Sequence, residues 1–245
     1  MRRTTTVAIA VLLFAATAMS AHAATITVTN TNDSGAGSLR QALAVAHDGD
    51  SITFAVSGTI TLTSSGLAVT KSVTISGPGA DQLSIDGNQS PTQPVFSVLA
   101  IATISGLTIR NGQDGIENVG ILTVRNCVIS GNSSDGISNV TGTSLTVVSS
   151  NVSDNDGSGI GINVSDGGAS ATIVNTTVSG NSAGGIMTSA FFGGAAVTVT
   201  DSTISSNFGY GGIYGVLSLT VANSPLATIR PEERGAGSLL FRMSA

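Results

Sequence analysis

Six copies of one nine-residue pattern decide the fold of this chain: IATISGLTI (101–109), ILTVRNCVI (121–129), SLTVVSSNV (144–152), SATIVNTTV (170–178), AVTVTDSTI (196–204) and SLTVANSPL (218–226). The copies recur at intervals of 20 to 26 residues, and self-similarity at such a period is typical of a solenoid. In each copy the second, fourth and ninth residues are apolar and alternate with Thr or Ser. A period of two indicates strands with one buried face rather than helices.

Two further marks follow most copies of the nine-residue pattern. The first is Ser-x-Asn, which ends at Asn132, Asn155, Asn181 and Asn207. The second is Gly-Ile, at 136–137, 159–160, 185–186 and 212–213, with Asn111 and 115–116 as the shortened equivalents in the first unit. Asn and Gly suit tight corners, because Asn tolerates left-handed backbone and bonds to its own turn. These marks predict coils of three short strands that stack about 4.8 Å apart, with the four Asn side chains in one structural ladder.

The pattern therefore predicts an all-β fold, a single-stranded right-handed parallel β-helix. Its regular repeats would cover residues 100–226, after an N-terminal cap and first coils at 24–99. Residues 227–245 lack both marks and carry four charged residues within five, so this tail is expected to be irregular or truncated, or else to form a C-terminal cap.

The first residues predict export. Residues 1–23 contain Arg2 and Arg3, an apolar run from Val7 to Ala18 and a small-x-small site at Ala21–Ala23, which together are typical of a signal peptide. No later stretch is long and apolar enough to span a membrane. The mature chain is thus expected to be secreted, periplasmic or on the cell surface.

The segment from Thr25 to Phe54 differs from the repeats. Leu39, Ala42, Leu43 and Ala46 fall on one face of a short helix that Ser38 begins and that ends near Asp48. Such a helix can cover the open end of the first coil, since solenoids need capped ends to be soluble.

Charge excludes one class of partner. Without Arg2 and Arg3, seven basic residues remain against fourteen acidic ones, a net charge of −7. Nucleic acids require many cations to neutralise their phosphates, so they are not expected as partners. Strongly anionic glycans are disfavoured for the same reason.

Cys127 is the only cysteine, so the chain cannot form an internal disulfide. We expect it to be a small core residue. The alternative, a catalytic nucleophile, would need a nearby histidine, and His47 is the only one after the predicted cleavage site.

The ordered phrases GSLRQAL, DGDSITF and ISGLTIRNG, with the repeated SGN and GGI, resemble exported bacterial right-handed parallel β-helix proteins. The repeats are similar to those of the polymorphic outer-membrane proteins. This resemblance implies the fold but no single activity, because the scaffold carries lyases, hydrolases and adhesins. The outer-membrane repeats have Phe-x-x-Asn where this chain has Ile or Val, which weakens the transfer of an adhesive role.

Asp114 and Asp135 are the best candidates for catalysis. Each precedes a Gly-Ile mark in successive coils, Glu117 is close, and Arg110 and Arg125 are the nearby cations. Stacked carboxylates raise each other's pKa or recruit a cation such as Ca²⁺. The simpler interpretation is a pair of solvated carboxylates at turns, with no metal site and no cofactor.

Aromatic residues cluster near the end of the repeats, at Phe191, Phe192, Phe208, Tyr210 and Tyr214. Exposed aromatic rings without basic neighbours suit neutral sugars or a protein surface. Alternatively, these rings bury one another. The scarcity of titratable groups favours a non-catalytic, adhesin-like binding module with a carbohydrate or a surface protein as partner. A polysaccharide lyase or glycoside hydrolase is the alternative, and the sequence does not indicate an oligomeric state.

Overall fold

A computed structural model describes residues 23–90, 92–140, 142–164, 168–190, 195–215, 218–225, 229–230 and 240–244. The proposed signal segment, Phe191, Phe192 and Leu226 lie outside these residues. The described residues form one short helix and a series of short strands. In chain order the elements are β1 (Thr25–Val28), α1 (Leu39–Val45), β2 (Ser51–Phe54), β3 (Gly58–Thr61), β4 (Leu67–Val69), β5 (Val73–Ser76), β6 (Leu83–Asp86), β7 (Phe96–Val98), β8 (Ile101–Ser105), β9 (Thr108–Arg110), β10 (Ile116–Asn118), β11 (Ile121–Arg125), β12 (Val128–Ser130), β13 (Ile137–Val140), β14 (Ser144–Val148), β15 (Asn151–Ser153), β16 (Ser158–Val164), β17 (Ala169–Val174), β18 (Thr177–Ser179), β19 (Gly184–Ala190), β20 (Ala195–Thr200), β21 (Thr203–Ser205), β22 (Ile213–Tyr214), β23 (Ser218–Ala222), β24 (Ile229–Arg230) and β25 (Leu240–Ser244).

Three parallel sheets are built from these strands, because each coil contributes one strand to each sheet. Sheet A has the order β1-β2-β5-β8-β11-β14-β17-β20-β23-β25, sheet B β3-β6-β9-β12-β15-β18-β21, and sheet C β4-β7-β10-β13-β16-β19-β22-β24. The register is one to one: Leu122, for example, pairs with Ala102 on one side and Leu145 on the other. The fold expected from the sequence, an all-β right-handed parallel β-helix, is confirmed.

The core consists of apolar columns that run along the helix axis. The ninth residues of the nine-residue pattern, where described, are fully buried in sheet B: Ile109, Ile129, Val152, Val178 and Ile204. The isoleucines of the Gly-Ile marks form a similar column in sheet C, at 116, 137, 160, 186 and 213. The alternation of apolar with polar residues therefore separates the inside of the coil from its outside, as the period of two predicts.

Left-handed residues make the corners, but they are not the asparagines of the Ser-x-Asn marks. The corner between sheets A and B has φ near +50° to +64° at its first residue: Gly106, Asn126, Ser149, Asn175, Asp201 and Asn223. At the next corner the left-handed residue directly precedes the Asn of each Ser-x-Asn mark, as with Gly131 at φ +65°. Asn111 also belongs to this left-handed column, at φ +58°, so it is the equivalent of Gly131 and not of Asn132.

The N-terminal cap is a helix held by an ion pair. Ser38 is its N-cap, accepting a hydrogen bond from the amide of Gln41, and Leu39, Ala42 and Leu43 are buried. The helix ends at Val45, before the predicted Asp48. Arg40 pairs with Asp33 at 2.5 Å and donates to the carbonyl of Gly66, which ties the helix to the loop before β4.

Two regions add strands that the sequence pattern did not predict. The strand β4 is only three residues long, too short for alternation to reveal it, and it begins sheet C by pairing with β7. In the tail, β24 pairs with β22 and β25 pairs with β23 in parallel. These described parts of the tail therefore continue the sheets.

Candidate functional site

The asparagine ladder (Asn132, Asn155, Asn181 and Asn207) is a continuous chain of hydrogen bonds inside the coil. The Nδ2 of each residue donates to the Oδ1 of the next, at 2.8, 2.9 and 2.9 Å. Each Oδ1 also accepts the backbone amide of the equivalent residue one coil earlier, beginning with Gly112. The first three asparagines are completely buried or nearly so. The ladder thus satisfies buried polar groups at a corner where the backbone leaves the sheet.

The glycines of the Gly-Ile marks pack against this ladder. A Cβ at Gly136 would lie 2.8 Å from Asn155 Nδ2 and 2.6 Å from Val152 Cγ1, and Gly115, Gly159 and Gly185 are placed in the same way. The two sequence marks therefore describe one contact, in which the Asn side chain fills the space that a glycine leaves.

A second ladder runs through the seventh position of the nine-residue pattern. The amides of Cys127, Ser150, Thr176 and Ser202 donate to the hydroxyl oxygens of the next residues in the column, ending at Ser224. Cys127 begins this ladder, and burial raises the pKa of its thiol to about 11. The sequence pattern predicts core lining at Cys127 but not the ladder. The recurrent Ser or Thr there was the available signal.

The two candidate aspartates stack at the corner before sheet C. Asp114 Oδ1 accepts the amide of Asp135 at 2.9 Å, and Asp135 Oδ1 accepts the amide of Ser158 at 2.7 Å. Both side chains are half-buried. Each carboxylate therefore bonds to the backbone of the next coil, as a side chain that supports a turn would.

This position disfavours the charged form of both carboxyl groups. Burial and, to a smaller extent, the negative charge of Asp114 raise the pKa of Asp135 to about 6. Burial also raises the pKa of Asp114, with a smaller contribution from the charge of Glu117. Glu117 in turn accepts a hydrogen bond from Ser97 Oγ at 3.2 Å. We call Asp114, Glu117 and Asp135 the carboxylate cluster.

The two candidate arginines lie on other sheets. Arg110 ends a strand of sheet B, where its Nε lies 3.1 Å from Asp86 Oδ2. That N–H makes no hydrogen bond of good geometry, so the contact is an ion pair only. Arg125 is exposed on sheet A, in register with Ser105 and Val148. The structure thus brings the carboxylates together and places neither of the two candidate arginines beside them. Within the described ranges, no group of three His, Cys, Asp or Glu side chains is placed to hold a metal ion.

Three residues of the predicted aromatic group are described by the structure, Phe208, Tyr210 and Tyr214, and they follow one another closely in the chain. Phe208 is 67% exposed and Tyr210 is 47% exposed. The rings of Tyr210 and Tyr214 are in contact, with centroids 4.5 Å apart and planes tilted by 32°. We call these three residues the aromatic cluster.

One corner of the coil connects the aromatic cluster with the carboxylate cluster. Two columns line it, with one residue per coil. Backbone hydrogen bonds join the residues of the first column, which are Gln113, Ser134, Gly157, Ala183 and Tyr210. The second lies outside sheet C in strand register: Glu117, Ser138, Gly161, Met187 and Tyr214. The coil of Asp135, the nearer end of the carboxylate cluster, is three coils from the aromatic cluster, about 14 Å, and the residues between them are mostly small.

Gly161 lies at the middle of this corner and is buried. A Cβ at Gly161 would collide with Asp135 Oδ2, so the carboxylate of Asp135 leans over the glycine towards the aromatic end. The corner surface thus has acceptors at one end and rings at the other.

Sheet A carries a further regular feature on its outside, which becomes visible only when the coils are in register. Seven threonines stand in one register, one in each of seven successive coils: Thr74, Thr103, Thr123, Thr146, Thr172, Thr198 and Thr220. We call them the threonine row. The signal was the third residue of the nine-residue pattern, which is Thr in all six copies.

Comparison with known proteins agrees with the architecture. A family model described as "Right handed beta helix region" matches residues 58–224. The chain belongs to this right-handed β-helix family. No curated protein sequence matches the chain.

Among solved structures, a pectate lyase, Pel9A, superposes with a TM-score of 0.64 at 16% sequence identity, covering 82% of this chain and 62% of that one. The A-module of the mannuronan C-5 epimerase AlgE6 from Azotobacter vinelandii gives a TM-score of 0.44 at 18% identity, covering 76% of this chain and 60% of that one. Both are longer than the family member described here. At such identities the likeness shows the fold alone.

Proposed function

We propose that this β-helix is an exported, non-catalytic module that binds neutral carbohydrate through the aromatic cluster. The observation that carries the proposal is the exposure of Phe208 and Tyr210 beside Tyr214. By contrast, Phe96 is fully buried. Soluble proteins expose few neighbouring rings unless these contact something.

The chemistry of the corner surface favours a sugar polymer as the ligand. Aromatic faces pack against the apolar faces of sugar rings, and the carboxylate cluster offers acceptors for hydroxyl groups. An extended chain could reach both clusters, since they are about 14 Å apart. The net charge of the whole chain, −5, disfavours anionic polymers. Export rests on the signal-like segment at 1–23, and no helix in the described part of the chain is long and apolar enough to cross a membrane.

The test compares two double variants on a panel of immobilised neutral polysaccharides. Phe208→Ala with Tyr210→Ala removes the exposed rings, so we expect loss of retention on the polysaccharide that retains the unmodified protein. Asp114→Asn with Asp135→Asn, which keeps acceptor oxygens at the same corner, should retain it. Circular dichroism of both variants checks that the fold is intact. Equal retention of the aromatic variant and the unmodified protein would contradict the proposal.

A polysaccharide-cleaving enzyme is the second candidate, and one observation favours it. Asp135 has its pKa raised to about 6, which suits a general acid near neutral pH. The same panel is therefore assayed for release of reducing or unsaturated ends. Cleavage that the aspartate variant loses and the aromatic variant keeps would establish this function in place of binding.

A further inference from the structure

The threonine row is more uniform than the folding of the strands requires. Threonine favours strands, which explains why it is common at exterior positions. Threonine is equally favourable in the exterior columns of sheets B and C, yet those columns contain several residue types. The column of sheet B contains Thr108, Val128, Asn151, Thr177 and Thr203, and that of sheet C contains Glu117, Gly161 and Met187. The middle exterior column of sheet A is therefore the exception, since the columns on either side of it are mixed as well.

The hydroxyl groups of the row are available to a ligand. None of the seven hydroxyl groups makes a hydrogen bond with another described residue. All seven side chains are half-buried or exposed, with Thr74 and Thr220 the most open at the two ends. Each threonine thus presents one hydroxyl and one methyl group to the solvent.

The threonine row and its neighbouring columns are regularly spaced in two directions. Equivalent atoms repeat about every 4.8 Å along the axis, so seven threonines extend over about 29 Å. Two flanking columns lie about 6.7 Å to either side. The first contains Ile101, Ile121, Ser144, Ser170, Ala196 and Ser218. The second contains Ser76, Ser105, Arg125, Val148, Val174, Thr200 and Ala222.

This face is nearly uncharged and partly apolar. Arg125 is the charged residue within the three columns named above, and Arg242 of β25 follows Thr220 in the register of the threonine row. Ile101 and Ile121 are 58% and 49% exposed, although they lie in successive coils of the same column. A ligand that uses the whole face must extend over several columns, must repeat with a spacing like that of the coils, and must accept methyl and hydroxyl groups together.

We propose that the exterior face of sheet A binds ice. The crystal surface of ice presents rows of oxygen atoms with a repeat close to the spacing of stacked β-coils, and those oxygens both donate and accept hydrogen bonds. Ordered water at the threonine hydroxyls would join this lattice, because water-mediated hydrogen bonds are nearly as favourable as direct ones. A linear polysaccharide would contact one column only, and the face has no aromatic ring among the columns named above to receive a sugar.

The experiment uses two threonines of the same coil. Thr172→Tyr puts a bulky ring in the threonine row, and Thr177→Tyr puts the same ring on the exterior of sheet B. The unmodified, fluorescently labelled protein should enter a growing single crystal of ice and should inhibit ice recrystallisation. Thr172→Tyr should require at least about tenfold more protein for the same inhibition, whereas Thr177→Tyr should behave as the unmodified protein does.

A second variant separates an effect on ice binding from an effect on folding. Thr146→Lys, one coil earlier in the row, carries a long flexible side chain that an exterior strand position tolerates, and melting curves check all variants. Exclusion of the unmodified protein from ice would overturn the proposal. So would equal inhibition by Thr172→Tyr and Thr177→Tyr, or retention on a linear polysaccharide that Thr172→Tyr abolishes while ice is unaffected.

Discussion

Asp135 shows how one residue can support a turn and yet be held in an unfavourable state. Its Oδ1 accepts a hydrogen bond from the backbone amide of Ser158, and this bond supports the turn. Burial and the neighbouring Asp114 nevertheless raise its pKa from the ordinary 3.8 to about 6. The folded protein therefore binds a proton more tightly at this group than the unfolded chain does. Its favourable contribution is fully present below pH 4 and is lost as the pH rises through 6.

Asp135→Asn should accordingly stabilise the protein at neutral pH. An amide keeps the oxygen that accepts the Ser158 N–H, but it carries no charge. A shift of about two pKa units corresponds to roughly 1 to 3 kcal/mol of unfolding free energy. We expect that gain at pH 7.5 and almost none at pH 4. Urea unfolding of both proteins at the two pH values measures the difference. A variant that is less stable than the unmodified protein at pH 7.5 would show that the charged form supports the turn.

At the scale of the element, each short strand is specified by which of its residues face inwards. In β12, Ile129 lies in the buried apolar column of sheet B, between Ile109 and Val152. Thr123, in β11 of the same coil, faces outwards from sheet A and is half-buried. Such strands have only three to five residues, so a single wrong residue affects much of the element.

The two positions should respond very differently to a carboxylate. Ile129→Asp would bury a charge or force its protonation, at a cost of several kcal/mol. Thr123→Asp leaves the new carboxylate in contact with water and should cost less than about 1 kcal/mol. The melting temperatures of the two variants give the comparison. Equal losses would mean that inside and outside are assigned wrongly.

At the scale of the whole molecule, each coil contacts only the coils before and after it. Hydrogen bonds of the backbone, the asparagine ladder and the column from Cys127 to Ser224 all run along the axis. Stability is then approximately a sum of terms for each coil and each interface between neighbours. Opening a coil near one end breaks fewer interfaces than opening one in the middle.

Hydrogen exchange should follow this arrangement. Amides in β11 to β15 should exchange most slowly, and protection should fall towards β1 and towards β23, because coils near the middle lose two interfaces when they open. Mass spectrometry of peptides after exchange measures the gradient. Equal protection in all strands would indicate one cooperative unit instead of a series of coupled coils.

Most of the fold could be predicted from the sequence, since the signals are local and repeated. The alternation in the nine-residue pattern distinguishes inside from outside within a few residues, and six copies in series predict stacking. The strand β4 and the strands of the tail were missed, because two to five residues without the repeat marks carry too little pattern.

The candidate site was only partly predictable. The sequence indicated that Asp114 and Asp135 stack, since both precede a Gly-Ile mark. It could not indicate that Arg110 and Arg125 point away on two other sheets, because that depends on where each corner falls in the coil. The aromatic residues were visible as a cluster in the sequence, whereas the contact of Tyr210 with Tyr214 requires the fold.

The sequence by itself determined the repeat, the strand period, the buried columns and the presence of corner asparagines and glycines. Only the tertiary structure decided that Asn155 fills the space left by Gly136, and that the left-handed residue is the one before the asparagine. It also decided that seven threonines from separate coils form one row. The physical reason is register: local pattern orients a side chain inwards or outwards, but only the pairing of successive coils determines which side chains become neighbours.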